Sequence, residues 1–185
     1  MEYNQVNNDT KRLFLGIPLS EKVLCHTVSF IANQKEMQGI RWIPKENFHV
    51  TACFIGNVIT DQTDNLIQMT KNAISHCDQF CLIFRKFCLM PEKRPYMVWA
   101  QFDINENFNK LVADIHKAAG VKFNKNKPSI PHVTLARFKD PGLSKKITTD
   151  LNKNIPDMIV KEVVLYESVL KPTGAEYKKL FRFRL

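Results

Sequence analysis

The sequence predicts an α+β fold of two related lobes, each an antiparallel-type sheet covered by helices, with an active site in the cleft between them. Three observations carry this. His-Val-Thr occurs at His49 and again at His132, a spacing of 83 in a chain of 185 residues. Strand and helix patterns alternate as β-α-β-α-β twice, and the His-Val-Thr strand comes third each time. A hydrophobic share of 44% and a charged share of 24% suit a globular chain long enough to bury a sizeable core.

The elements follow in order. KRLFLGIPL reads as a strand ended by Pro18 and Ser20. A helix follows with Leu24, Val28 and Ile31 at i, i+4 and i+7. FHVTACFIG is the next strand. TDQTDNLIQMTKNAI is a helix capped by Thr60 or Asp61, with Leu66, Met69 and Ala73 on one face. FCLIFRKFCLM is an apolar strand. The second half repeats the order. PYMVWAQFD is a strand, and a helix with Phe108, Leu111 and Ile115 on one face stops at Gly120. Strand PHVTLARF, helix LSKKITTDLNKNI and strand KEVVLYESVL come next, and AEYKKLFRFRL adds a last strand by alternation. The chain reads as a single two-lobed domain over 1–185. The first motif falls in a lobe of about 12–90 and the second in a lobe of about 95–185.

The N-terminal MEYNQVNNDTKR lacks the apolar core of a signal peptide, and no apolar run reaches bilayer length. A cytoplasmic protein without a membrane partner is expected. Lys and Arg number 27 against 18 Asp and Glu, a net charge of +9 that suggests a polyanionic partner such as nucleic acid. Five cysteines in a chain with no secretion signal read as free thiols. A zinc site from His76, Cys77, Cys81 and Cys88 lacks close Cys-x₂-Cys pairs, so these cysteines are read as core residues and no metal is assigned. His26 and His116 fall on helices away from the apolar faces and are expected to be exposed; His76 follows a helix, and none of the three is given a role.

On a strand, His49 and Thr51 share one face, as do His132 and Thr134. Each lobe therefore presents an imidazole beside a hydroxyl, and an approximate two-fold would converge both pairs on one ligand. That suits phosphodiester hydrolysis without a metal. In-line displacement puts the attacking and leaving oxygens on opposite sides of phosphorus, one needing a base and the other an acid. Histidine serves either role near neutral pH. Threonine hydroxyls can donate to the non-bridging oxygens. The spacing alone gives no order of acid and base.

These motifs resemble the paired H-x-T-x of the two-histidine phosphoesterase superfamily. The chain is similar in particular to the bacterial and archaeal RNA 2′,3′-cyclic phosphodiesterases, also described as 2′-5′ RNA ligases. RLFLGIPL, IRWIPKENFHVTACFIGNV, IPHVTLARF and LYESVLKPTGAEYKKLFRFRL carry the resemblance over nearly the whole chain. It implies an RNA 3′ end bearing a 2′,3′-cyclic phosphate, tRNA fragments included, opened to a 2′-phosphate without a cofactor. It makes His49 the proton donor and His132 the proton acceptor, with Thr51 and Thr134 holding phosphate oxygens. Joining RNA ends through a 2′-5′ bond is the family's second activity. Cys53 stands where many relatives carry a basic residue, and Ser129 and Ile130 where they carry an aromatic and an arginine. Arg137 is a candidate substrate contact, although strict alternation places it opposite His132. Phe54 and Trp42 could stack on a base or belong to the core. Two alternatives stay open: the same chemistry on small cyclic nucleotides or 2′-5′ oligonucleotides, and an RNA-end binding module without turnover. A self-contained cleft implies a monomer.

Overall fold

The structure, a computed structural model, describes residues 9–34, 38–124, 126–150, 155–172 and 174–185. The first strand is β1 (Thr10–Pro18), whose alternation buries Leu13, Leu15 and Ile17 in the core and turns Phe14 to the opposite face. α1 (Glu21–Ala32) begins at Ser20, where the Val23 amide donates to the Ser20 hydroxyl. The short β2 (Ile40–Trp42) precedes β3 (His49–Ile59), and a 3-10 turn at Thr60–Gln62 leads into α2 (Thr63–Ile74). β4 (Phe80–Leu82), β5 (Phe84–Met90) and β6 (Met97–Phe102) lead to α3 (Glu106–Ala118). The Phe108 amide donates to the Asn105 cap of α3 at 2.9 Å, and Gly120 follows its end with φ +66°. β7 (His132–Phe138), β8 (Met158–Val160), β9 (Glu162–Lys171) and β10 (Gly174–Arg184) complete the chain.

Two four-stranded antiparallel sheets result, ordered β10-β9-β1-β3 and β2-β7-β6-β5, with β4 paired to β8. This is the expected α+β architecture. The sheets, however, cut across the expected halves of about 12–90 and 95–185. β5 turns back onto β6, its neighbour in sequence, because an antiparallel hairpin closes the shortest loop. β9 then takes the corresponding place beside β1. Each half thus lends two strands to the other's sheet, β2 and β5 from the first and β9 and β10 from the second.

The repeat is stricter in register than in sequence. Leu15 pairs with Cys53 and Gly16 with Thr51, so Ala52 is a bulge. At a spacing of 83, Val98 pairs with Ala136 and Trp99 with Thr134, so Leu135 is the same bulge.

Several sequence expectations change. α1 buries Val23, Thr27 and Phe30; Leu24 and Ile31 are half-buried and Val28 is exposed. Phe30 wins because its ring stacks on Phe87 of β5 at 3.7 Å. α2 has no side-chain cap, and it buries Thr63, Leu66, Thr70 and Ile74 while Met69 is exposed. FCLIFRKFCLM divides at exposed Ile83, because β4 and β5 pair with different partners. Cys81 on β4 is exposed rather than core, whereas Cys53 and Cys88 are buried. His116 is half-buried against Phe123 rather than exposed, and His26 is exposed as expected.

The helix expected over LSKKITTDLNKNI is a 3-10 helix at Pro141–Lys146, capped by the Asp140 carboxylate on the Gly142 amide. Residues 147–150 are not helical, and 151–154 lie outside the described residues. The Gln34 side chain donates to the Thr148 carbonyl at 3.0 Å and accepts from its amide at 3.2 Å, satisfying backbone groups that a helix would have used. No helix among the described residues is long and apolar enough to cross a membrane.

Candidate active site

β3 and β7 run against each other where the two sheets meet, and both His-Val-Thr segments begin at that junction. A small cavity of about 70 Å³ is lined by His49, Thr51, Phe54, His132, Thr134 and Arg137, with Ile43, Asn47 and Tyr177 closing its sides. His49, Thr51, His132, Thr134 and Arg137 therefore meet in one place, and Phe54 joins them. A second cavity of about 460 Å³ shares Ile43, Asn47, Arg137 and Tyr177 as walls and continues past Arg41, Trp42, Glu46 and Glu176. Trp42 is half-buried and packs against the core as well as lining this cavity.

Arg137 reaches the cleft because the bulge breaks alternation. Leu135 and Ala136 are both buried, so the next residue returns to the His132 face. The first motif does the same. Ala52 and Cys53 are both buried, and Phe54 emerges 64% exposed at the cavity. Phe54 and Arg137 thus hold equivalent slots, one aromatic and one cationic. The Arg137 guanidinium is steadied by a 3.0 Å contact to Met97 Sδ.

Both imidazoles are anchored alike. His49 Nδ1 lies 2.8 Å from the Asn47 carbonyl oxygen, and His132 Nδ1 lies 2.8 Å from that of Ile130. A carbonyl can only accept, so each neutral ring carries its proton on Nδ1 and leaves Nε2 as an acceptor. Burial lowers the pKa of His49 to about 4, aided by the His132 charge and opposed by the Asn47 carbonyl. Burial likewise lowers that of His132, with Arg137 adding to the effect and the Ile130 carbonyl opposing it.

The rings are held differently. His49 packs on Phe14, with centroids 4.7 Å apart, and meets Tyr177 edge-on at 5.3 Å. A Cβ on Gly16 would stand 3.0 Å from His49 Cδ2, so the glycine leaves room for the ring. In the equivalent slot, Trp99 stacks on His132 at 3.6 Å and 17°. Asn47 Nδ2 donates to the Ala175 carbonyl at 2.7 Å and ties the turn before β3 to β10. Gly16, Asn47, Trp99 and Tyr177 went unflagged in the sequence. Only the spacing of 83 from Gly16 to Trp99 and from Thr51 to Thr134 could have paired the first and third.

A duplicated α+β fold with two H-x-T strands at one cleft defines a two-histidine phosphoesterase. A family model described as LigT like phosphoesterase matches residues 26–100 and again 98–177, once on each half. The chain belongs to this family. It is 24% identical over 174 residues to the RNA 2′,3′-cyclic phosphodiesterase of Thermotoga maritima, covering 92% of this chain and 93% of that protein. It is 25% identical over 172 residues to the protein of the same name from Methanocaldococcus jannaschii, covering 90% and 96%. In fold it is similar to Escherichia coli LigT, with a TM-score of 0.73, 20% identity, and 95% of this chain and 98% of that chain covered. A complex of that protein with 3′-AMP aligns equally well, at TM-score 0.73 and 20% identity over 96% and 99% of the two chains.

Proposed function

We propose that the protein hydrolyses RNA 3′-terminal 2′,3′-cyclic phosphate to a 2′-phosphate, using His49 as acid and His132 as base. The observation that carries this reading is the meeting of both His-Thr pairs in one cavity, in matching register. Water attacks phosphorus and gives its proton to His132 Nε2. The bond from phosphorus to O3′ breaks, and His49 Nε2 protonates the departing oxygen. Thr51, Thr134 and Arg137 hold the non-bridging oxygens as charge develops. The order of acid and base comes from the family resemblance. The adjoining 460 Å³ cavity is large enough for a nucleoside, and the net charge of +9 favours a longer polyanion. The names of the Thermotoga and Methanocaldococcus relatives point the same way. A 5′-hydroxyl in the place of water would give a 2′-5′ diester through the same two proton transfers.

The described residues lining the catalytic cavity include two imidazoles and no carboxylate or thiol, and the proposed mechanism gives both proton transfers to imidazole. Hydrolysis of nucleoside and oligonucleotide 2′,3′-cyclic phosphates should therefore persist in excess chelator and yield the 2′-phosphate. His49→Ala and His132→Ala should each lower turnover by roughly 10²–10⁴ with unchanged circular dichroism. A 3′-phosphate product would reverse the acid–base order. Binding of cyclic-phosphate RNA with no turnover would leave a binding module instead.

A further inference from the structure

Away from the cleft, where the end of α2 meets α3, three side chains of different donor type converge. His76 Nε2 lies 3.3 Å from Asp114 Oδ2, and these atoms and Cys77 Sγ all lie within 4.8 Å of one another. Asp114 Oδ2 is buried and receives no hydrogen bond among the described residues, so the short contact to His76 does not satisfy it. Nitrogen and oxygen ligands about 2.0–2.1 Å from a tetrahedral zinc ion stand about 3.3–3.4 Å apart, which is the separation seen here. The supports are rigid. The Cys77 amide donates to the Ile74 carbonyl at 3.0 Å, and Asp114 sits between buried Leu111 and Ile115 on α3.

We infer that His76, Cys77 and Asp114 form a site for one zinc-class divalent ion, separate from the catalytic cleft and clamping α2 to α3. The nitrogen, sulfur and oxygen donors suit zinc or cobalt and not magnesium or calcium, which take oxygen ligands. A cavity of about 140 Å³ beside the cluster, lined in part by Asp78, Asn107 and Lys110, has room for a water as fourth ligand. Neither this cavity nor the one on the far side of His76 shares a residue with the catalytic cavity. Zinc takes cysteine as the thiolate, so binding releases the Cys77 proton. The zinc set considered from sequence is dispersed. Cys88 Sγ donates to Gln101 Oε1 at 3.3 Å on the β5–β6 ladder, and Cys81 lies exposed on β4. Asp114, 37 positions beyond Cys77, supplies the third donor that spacing could not reveal.

The test is titration of the reduced, chelator-stripped full-length protein with Co²⁺, followed by displacement with Zn²⁺. One equivalent should bind with a thiolate-to-cobalt charge-transfer band, and Zn²⁺ should raise Tm. A Cys25→Ser/Cys81→Ser variant, lacking the two exposed thiols, should keep the band. Cys77→Ser should abolish it, and His76→Ala and Asp114→Asn should weaken Zn²⁺ binding by at least about 10-fold. Cyclic phosphate turnover should be equal with and without Zn²⁺ in the wild type. The inference is overturned by a band that survives Cys77→Ser, a band lost with Cys25 and Cys81, or the absence of saturable binding.

Discussion

His49 and His132 start from the same ground state, a neutral ring with Nδ1–H on a backbone carbonyl. In that state each is a base, so on the proposed mechanism the ring that acts as acid must first gain a proton. An anionic phosphate between the rings favours their charged forms and raises both pKa values. Two pH profiles follow for the pair. On the proposed mechanism the free enzyme needs one ring protonated and the other not, and burial holds both pKa values below 6.5. The alkaline fall of kcat/KM should therefore begin below pH about 6.5, and that of kcat should lie at higher pH, which steady-state profiles on a cyclic mononucleotide will read. Stability shifts in the same range. The unfolded chain takes up a proton at the ordinary histidine pKa of 6.5 and buried His49 only near 4. Unfolding free energy should thus fall by roughly 3 kcal/mol as pH drops through that window, and His49→Gln should remove much of the fall. Gly16→Ala would place a methyl 3.0 Å from the His49 ring. Its displacement should lower kcat by up to about 10²-fold, leaving KM nearly unchanged. Both histidines and both threonines were legible from two H-x-T repeats. Arg137 was misplaced, because alternation cannot count a bulge.

At the level of elements, amphipathic pattern served where a helix has one partner and failed where several compete. α3 shows Phe108, Leu111 and Ile115 in the sequence and buries those three with Val112. Its start rests on Asn105, which caps the Phe108 amide and also donates to the Cys81 carbonyl at 3.0 Å, fastening α3 to β4. Asn105→Ala should cost about 1–2 kcal/mol, read as a lower denaturant midpoint with unchanged turnover. α1 has its face set by Phe87, which a local window does not see. The stretch after Phe138 had helical spacing but lies under Gln34, 114 residues from Thr148. Such long-range hydrogen bonds leave no local signature.

Across the whole molecule, the exchange of β2 and β5 for β9 and β10 means that neither half carries a complete sheet. Separately expressed segments cut between β5 and β6 should show no cooperative unfolding, whereas the mixed pair should regain it together with turnover. Independent folding of either segment would count against this coupling. The count and order of most strands were readable, because alternation is local; which strand lies beside which was not, because it depends on edges presented by the rest of the chain. The same doubled frame carries a deliberate inequality. Glycine opposes tryptophan under the two rings, and phenylalanine opposes arginine at the two rims. A perfect dyad would admit a cyclic diester in either sense and release both isomers. Unequal furnishings in matched positions give the cleft a polarity, so a molecule entering it has a front and a back.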